Sequence, residues 1–305
     1  IRDRMHSVCR YFLIPISIMC VCLSACSSSD TVSSPQRWVL TMADEFDGED
    51  GSSPSSELWE METGYGFDGW GNDEWQLYTN STDNVRVERK RAEDGSLEDD
   101  GYLVITAQCD AEICGKRDDT ITSGRIKTQR LFEQKYGRFE ARIQLPEGAG
   151  YWPAFWMLGA NIEEVPWPGC GEIDIMENVG RRPEQVFGTV HGPGYSAGES
   201  IGNEFDLPEG ETFADDFHVF AVEWDPSRIS FSVDGEVQNG VVVGGEVYNI
   251  ITSSRISNEG EWVFNNEFFL LLNLAVGGTV GGSVGDGIFP GEVLVDYVRV
   301  YERNQ

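Results

Sequence analysis

Residues 138–145 alternate strictly: Phe139, Ala141, Ile143 and Leu145 are apolar, and Arg138, Glu140, Arg142 and Gln144 are polar. Side chains two apart on a β-strand share a face, so this period predicts a half-buried strand. The period returns at Ile229, Phe231 and Val233, just before Asp234-Gly235, a dipeptide that signals a hairpin turn. Leu270 to Val276 is a continuous apolar run, and Val293 to Tyr301 reads as a final strand. Between Trp38 and Tyr301 the sequence carries no amphipathic helical period and no internal repeat. Many short strands with Gly-rich turns predict an all-β sandwich or jelly roll, with acidic stretches such as Glu93 to Asp100 as surface loops. A chain of 305 residues with 40% hydrophobic content can bury one large β core of this kind.

One segment obeys the strand period and then breaks it. In Gly171-Glu172-Ile173-Asp174-Ile175-Met176-Glu177, Glu172 and Asp174 fall on one face. A regular strand would next put Met176 there and turn Glu177 away. A β-bulge near Met176 absorbs the extra residue and brings Glu177 into line. Four strand steps then separate the two glutamates, roughly 13 Å between Cα atoms. Side chains leaning toward each other can close that to the 5–5.5 Å (about) that suits a retaining glycosidase; an inverting one needs a wider gap for water. Crowding with Asp174 splits carboxyl pKa values, so one acid stays protonated while another ionises. Aspartate and glutamate number 52 of 305 residues, so such a pattern also arises by chance and needs support from its flanks.

The flanks supply it. Trp152 and Trp156 share a strand face within Tyr151-Trp152-Pro153-Ala154-Phe155-Trp156, and Trp167-Pro168 stands just before the acids. Exposed indoles are stacking platforms for the apolar faces of sugar rings, although any single tryptophan is as readily a core residue.

The N-terminal residues read differently. Arg2, Arg4 and Arg10 precede an apolar run, Tyr11 to Leu23, that is too short to span a bilayer as a mature helix. Leu23-Ser24-Ala25-Cys26 resembles a bacterial lipobox. It implies a lipoprotein signal peptide over 1–25, with lipidation of Cys26; an ordinary secretory signal with a nearby small-residue cut is the alternative. Residues 26–37 form a Ser-rich flexible tether. Ser27 after the lipid-bearing cysteine resembles outer-membrane sorting in a double-membrane bacterium. A secreted lipoprotein of the outer membrane or cell surface is therefore expected, touching the membrane only through its anchor.

The net charge of −30 repels nucleic acid and other polyanions, which excludes nucleic-acid partners and favours a neutral substrate over a sulfated one. Of seven cysteines, Cys9, Cys20 and Cys22 leave with the signal. Cys109 and Cys114 can close a small surface loop in an oxidising compartment, and Cys170 reads as a packed thiol. The spacing matches no strong metal motif, and three histidines are too few for a zinc site.

Trp152-Pro153-Ala154-Phe155-Trp156-Met157-Leu158-Gly159 followed by Gly171 to Asn178 closely resembles the catalytic region of glycoside hydrolase family 16. Gly188 to Ser196 is similar to its bacterial endo-β-1,3-glucanases, or laminarinases. Asp44-Glu45-Phe46, Gly71 to Gln76, Ser123 to Ile126, Tyr136 to Arg142, Leu272 to Gly278 and Val295 to Tyr301 follow in the family's order. The likeness implies one catalytic domain over 38–305, a β-jelly roll of two curved antiparallel sheets with substrate in a concave groove. It implies Glu172 as nucleophile, Glu177 as general acid/base and Asp174 as their modulating partner. Asn72, Arg125, Trp152, Trp156 and His191 are the expected sugar contacts. No cofactor is expected for catalysis. A structural calcium on the convex side is implied, with Glu45, Asp296 and backbone near Gly101 as oxygen donors. The expected activity is retaining endo-hydrolysis of β-1,3-glucan by a monomer. Mixed-linkage glucan, marine galactans such as agar or carrageenan, and a non-catalytic glucan-binding role are the alternatives. One departure is visible: laminarinases usually carry a Trp within two residues of Gly278, where this chain has Thr279-Val280.

Overall fold

The computed structural model describes residues 37–92, 96–110, 114, 121–258 and 260–304. The signal, tether and Cys26 readings lie outside the described residues. Seventeen strands are present among the described residues. The first eight are β1 (Trp38–Asp44), β2 (Glu60–Met61), β3 (Leu77–Tyr78), β4 (Val85–Arg91), β5 (Leu97–Cys109), β6 (Ile121–Ser123), β7 (Arg125–Lys127) and β8 (Gly137–Gln144). They are followed by β9 (Tyr151–Gly159), β10 (Glu172–Asn178), β11 (Gln185–His191), β12 (Ile201–Asp206) and β13 (His218–Asp225). The last four are β14 (Arg228–Gln238), β15 (Val241–Thr252), β16 (Phe268–Val276) and β17 (Gly291–Arg303). They form two sheets. The seven-stranded sheet runs β12-β11-β10-β9-β16-β7-β2; the ten-stranded sheet runs β15-β14-β13-β8-β17-β5-β6-β3, with β1 on β17 and β4 on β5.

One core cluster joins the sheets. Phe139, Ala141 and Ile143 of β8 are fully buried, as are Ile173 of β10 and Phe268, Leu270 and Leu274 of β16. The continuous apolar run is explained by β16 being buried on both faces. Its alternate residues, Phe269 and Leu271, pack with Leu158 and Cys170 in a second small cluster. Cys170 is a buried free thiol, and Cys109 and Cys114 form a disulfide.

Three local expectations are corrected. The alternating strand is present as β8, but the first half of its polar face is covered: Arg138 and Glu140 are as buried as their apolar neighbours, while Arg142 and Gln144 stay partly exposed. Arg138 Nε donates to Glu140 Oε2 at 2.6 Å, Tyr301 Oη donates to Glu140 Oε1 at 3.2 Å, and Gly235 O accepts from Arg138. Backbone and side chains arriving from β14 and β17 thus cover this face. Asp234-Gly235 is not a turn; β14 continues through it to Gln238. The chain reverses at Asn239 and Gly240, both at positive φ (53° and 80°), the pairing a two-residue hairpin prefers. Asp234 instead distorts the strand at φ 61° and accepts from the Val219 N–H and from His218. Finally, Leu97 to Asp100 belong to β5, in register with β4 through Arg91–Leu97 and Arg89–Gly101, rather than to a loop.

Candidate active site

The register of β10 shows how three acids reach one face. Against β9, Asp174 pairs with Trp156 and Met176 with Phe155, so two steps on β10 match one on β9. Against β11, Asp174 pairs with Thr189 and Glu177 with Phe187. The extra residue is absorbed at Ile175–Met176, both buried, and the bulge turns Glu177 to the side of Glu172 and Asp174. All three line one cleft of about 310 Å³.

Rows of side chains cross the sheet and bring distant residues together. Glu177, Ala154, Asn273 and Arg125 stand in one row over β10, β9, β16 and β7. Asp174 and Trp156 begin the next. Of the expected sugar contacts, Asn72, Arg125, Trp152 and Trp156 all line the cleft. Trp152 Nε1 donates to Glu177 Oε1 at 2.9 Å, and Trp156 Nε1 donates to Asn273 Oδ1 at 2.8 Å. The Arg125 guanidinium lies 4.4 Å from the Trp70 ring centroid and 4.9 Å from that of Trp156, while its Nε donates to Glu62 at 2.6 Å. Asn72 Nδ2 donates to Glu74 Oε1 at 3.3 Å. His191 stands among the acids themselves, with Nε2 3.1 Å from Asp174 and 3.6 Å from Glu172, and its ring 6.0 Å from that of Trp167.

Burial dominates the electrostatics of this group. It pushes Glu177 up to about 8, with the charge of Asp174 adding to it; the Trp152 and Thr189 hydrogen bonds pull the other way. Glu172 is raised for the same two reasons and drawn back by His191 and a hydrogen bond from Trp167. For His191 burial lowers the pKa, but its bond to Asp174 and the three nearby carboxylates outweigh this and lift it to about 9. The Ala197 N–H, donating to Nδ1 at 3.1 Å, favours the neutral ring with its proton on Nε2. In either state Nε2–H faces the carboxylates, so His191 is a donor to them. Thr189 Oγ1 donates to Asp174 at 2.6 Å and lies 3.3 Å from Glu177.

Two groups bear on metal binding. Glu172, Asp174 and His191 each offer an atom within 4.8 Å of the others, so the catalytic face itself could take a small cation. The donors expected for calcium do not fit one. Both Glu45 oxygens accept from Arg299, at 2.7 and 2.8 Å. Both Asp296 oxygens are taken, Oδ1 by Lys90 Nζ at 2.7 Å and Oδ2 by Arg142 at 2.9 Å. Burial raises Asp296, but these two cations outweigh it and hold the carboxyl below its usual range. Protein cations already neutralise the carboxylates that calcium would need, a pairing invisible in a sequence where the partners lie up to 254 residues apart.

Two carboxyls lining one indole-walled cleft, at least one of them holding its proton, are what glycosidic bond cleavage requires. The sequence profile described as Glycosyl hydrolases family 16 matches residues 72–249. The chain belongs to glycosyl hydrolase family 16. A beta-glucanase of Rhodothermus marinus is 36% identical over 95% of this chain and 93% of its own length. Glucan endo-1,3-beta-glucosidase A1 of Niallia circulans is 38% identical over 86% of this chain, which spans only 38% of that longer protein. The laminarinase catalytic domain from Thermotoga maritima MSB8 superposes with a TM-score of 0.74 at 40% identity, covering 88% of this chain and all of that one. This family-16 chain is thus a glycoside hydrolase with the expected jelly roll.

Trp167, read from sequence as an indole beside the acids, lines the cleft, and so do three residues that sequence does not single out, Trp70, Glu74 and Asn273, while Thr189 bridges two acids. Asn273 left a signal, a lone amide inside an otherwise apolar run. Trp70 left none, because its place depends on a loop in which Asp68, Trp70 and Asp73 adopt positive φ.

Proposed function

We propose that this protein is a retaining endo-hydrolase of β-1,3-glucan, acting by double displacement on a neutral polysaccharide. The observation that carries the reading is the bulged β10, which sets Glu172, Asp174 and Glu177 on one cleft face. The acids titrate as a set and retain a proton into the neutral range. With that proton on Glu177, the Glu172 carboxylate, beside His191 Nε2–H, attacks the anomeric carbon. Glu177 passes its proton to the glycosidic oxygen as the bond breaks and the reducing-end fragment departs. Glu177, now a carboxylate, takes a proton from water, which attacks the glycosyl–Glu172 ester and restores both acids. Asp174 raises both glutamates by its charge and fixes His191 and Thr189. Asn72, Arg125 and the indoles of Trp152 and Trp156 hold the glucosyl units beside the reacting bond. This chemistry uses no cofactor.

The relatives' printed activities support β-1,3-glucan over galactan, and the strongly acidic composition weighs against sulfated galactan. The lipobox-like Leu23 to Cys26 supports export and anchoring through Cys26 at the outer membrane or cell surface. Reducing-end release from laminarin, lichenan, agarose and carrageenan tests the substrate, with Glu172→Gln as control. Laminarin is expected to be cleaved best and the variant to be inactive. Activity on agarose alone, or full activity in Glu172→Gln, overturns the reading.

A further inference from the structure

Apolar side chains left in water are concentrated at one place on this protein. Six of the eleven large ones exposed among the described residues belong to two strands: Val39 and Leu40 of β1, and Val241, Val243, Val247 and Ile250 of β15. Each is between 41% and 57% exposed. β15 is the last strand of the ten-stranded sheet, and no strand pairs with its outer edge among the described residues. Val247 and Ile250 stand opposite Ser232 and Ser230 of β14, whose neighbours Phe231 and Val233 fill the core, so both face outward. A long apolar edge strand is one that proteins blunt or cover, and a patch of this kind marks a contact surface.

The two strands meet. Gly235 O of β14 accepts from Arg138 on the outer face of β8, and Gly240 O, at the hairpin tip, accepts from the Trp38 N–H of β1 at 2.9 Å. The outer half of the β14–β15 hairpin therefore crosses the outer face of the ten-stranded sheet. It carries Val241 and Val243 to the end of β1 that holds Val39 and Leu40. Arg37 Nη1 donates to Asn239 O at 3.4 Å, so the tip also holds the first described residue. The catalytic acids lie on the opposite side of the sandwich: Glu172 and Asp174 flank Ile173, which points into the core from the seven-stranded sheet.

The length of chain before Arg37 decides what covers this face. Ten residues, Ser27 to Gln36, separate Cys26 from Arg37. A Ser-rich segment of that length spans roughly 17 Å on average and about 40 Å when fully extended. A lipid on Cys26 thus keeps the hairpin tip beside a bilayer at an effective concentration of the order of millimolar, enough for a weak apolar patch to engage. We propose that Val39, Leu40 and the valines of the β14–β15 hairpin dock on the bilayer surface as a second membrane contact beside the lipid, turning the cleft outward to the polysaccharide. Glu302 pairs with Val39, Glu236 with Val243, and Glu246 precedes Val247, so the surface that fits is a zwitterionic phospholipid one, since these acids repel an anionic one. This inference rests on the proposed anchoring through Cys26 and names the face that the anchor brings to the membrane.

The test uses the lipidated full chain in phosphatidylcholine vesicles, with a fluorophore on Val243→Cys or, as control, on Val165→Cys, between the cleft-lining Ile162 and Trp167. Cys170 is buried and escapes the label. An apolar face that docks enters the headgroup and acyl boundary, so lipids brominated on the acyl chain are expected to quench the probe at 243 by about 2-fold. The probe at 165 is expected to keep its emission. Adding Val241→Glu is expected to abolish the quenching while Cys26 still holds the protein on the vesicles. Equal emission at 243 with and without bromine overturns the docking. So does a dimer in detergent that shields the same probe, because a second copy then covers the edge. A chain that mass spectrometry shows to carry no lipid on Cys26 overturns the anchoring itself and the docking with it, a result read before any quenching is measured.

Discussion

Glu177 lies between an indole donor and a like charge, and its role as an acid follows from which of them prevails. Burial and Asp174 raise it to about 8, against Trp152 and Thr189. Glu177 must be protonated to cleave, so activity falls as pH rises through its pKa, and the alkaline limb of kcat/KM is expected near 8. In Asp174→Asn the repelling charge is gone, Glu177 loses its proton earlier, and the limb moves to lower pH, with kcat reduced because His191 and Thr189 lose their anchor. A pH–rate profile of the two proteins checks this; a limb that stays put or moves up contradicts it. At this scale the acids themselves were legible, because a strand period interrupted by one residue has few meanings. Asn273 was not, since register across four strands brings it to the cleft, nor was Glu74, which a loop bridged to Gly277 carries there.

The strands are where period-2 reasoning works and where it stops. It located β8, β10 and β16, but it could not tell a solvated polar face from one covered by other polar groups. Arg138 and Glu140 occupy such a face, fully buried and paired. Removing one partner of a buried pair strands the other charge, so Arg138→Ala is expected to destabilise the fold by about 3–5 kcal/mol. A lower denaturant midpoint at unchanged slope reads it; a loss under about 1 kcal/mol would place the pair among ordinary surface ones. The misplaced hairpin teaches a related lesson. Asp234-Gly235 and Asn239-Gly240 both carry turn chemistry, and the pairing of β14 with β15 selects the second. Gly245 makes that pairing possible, since a side chain there would press on the Gly235 backbone at 2.5 Å.

Across the whole molecule, composition set the class and the order of motifs set the family, but charge pairing between strands stayed hidden. Lys90, Arg142 and Arg299 neutralise the carboxylates expected to hold calcium. The melting temperature is therefore expected to be the same in EDTA and in millimolar calcium, and to fall in Lys90→Met; a rise of several degrees with calcium in the wild type would show that the ion displaces these pairs. The central claim, however, is that the bulged strand makes Glu172 a nucleophile and not the base for a water. Proton NMR of laminarin cleavage, followed from the first seconds, tests it most directly. Retention predicts that new reducing ends appear first as the β-anomer and then mutarotate; ends that appear first as the α-anomer would contradict the account.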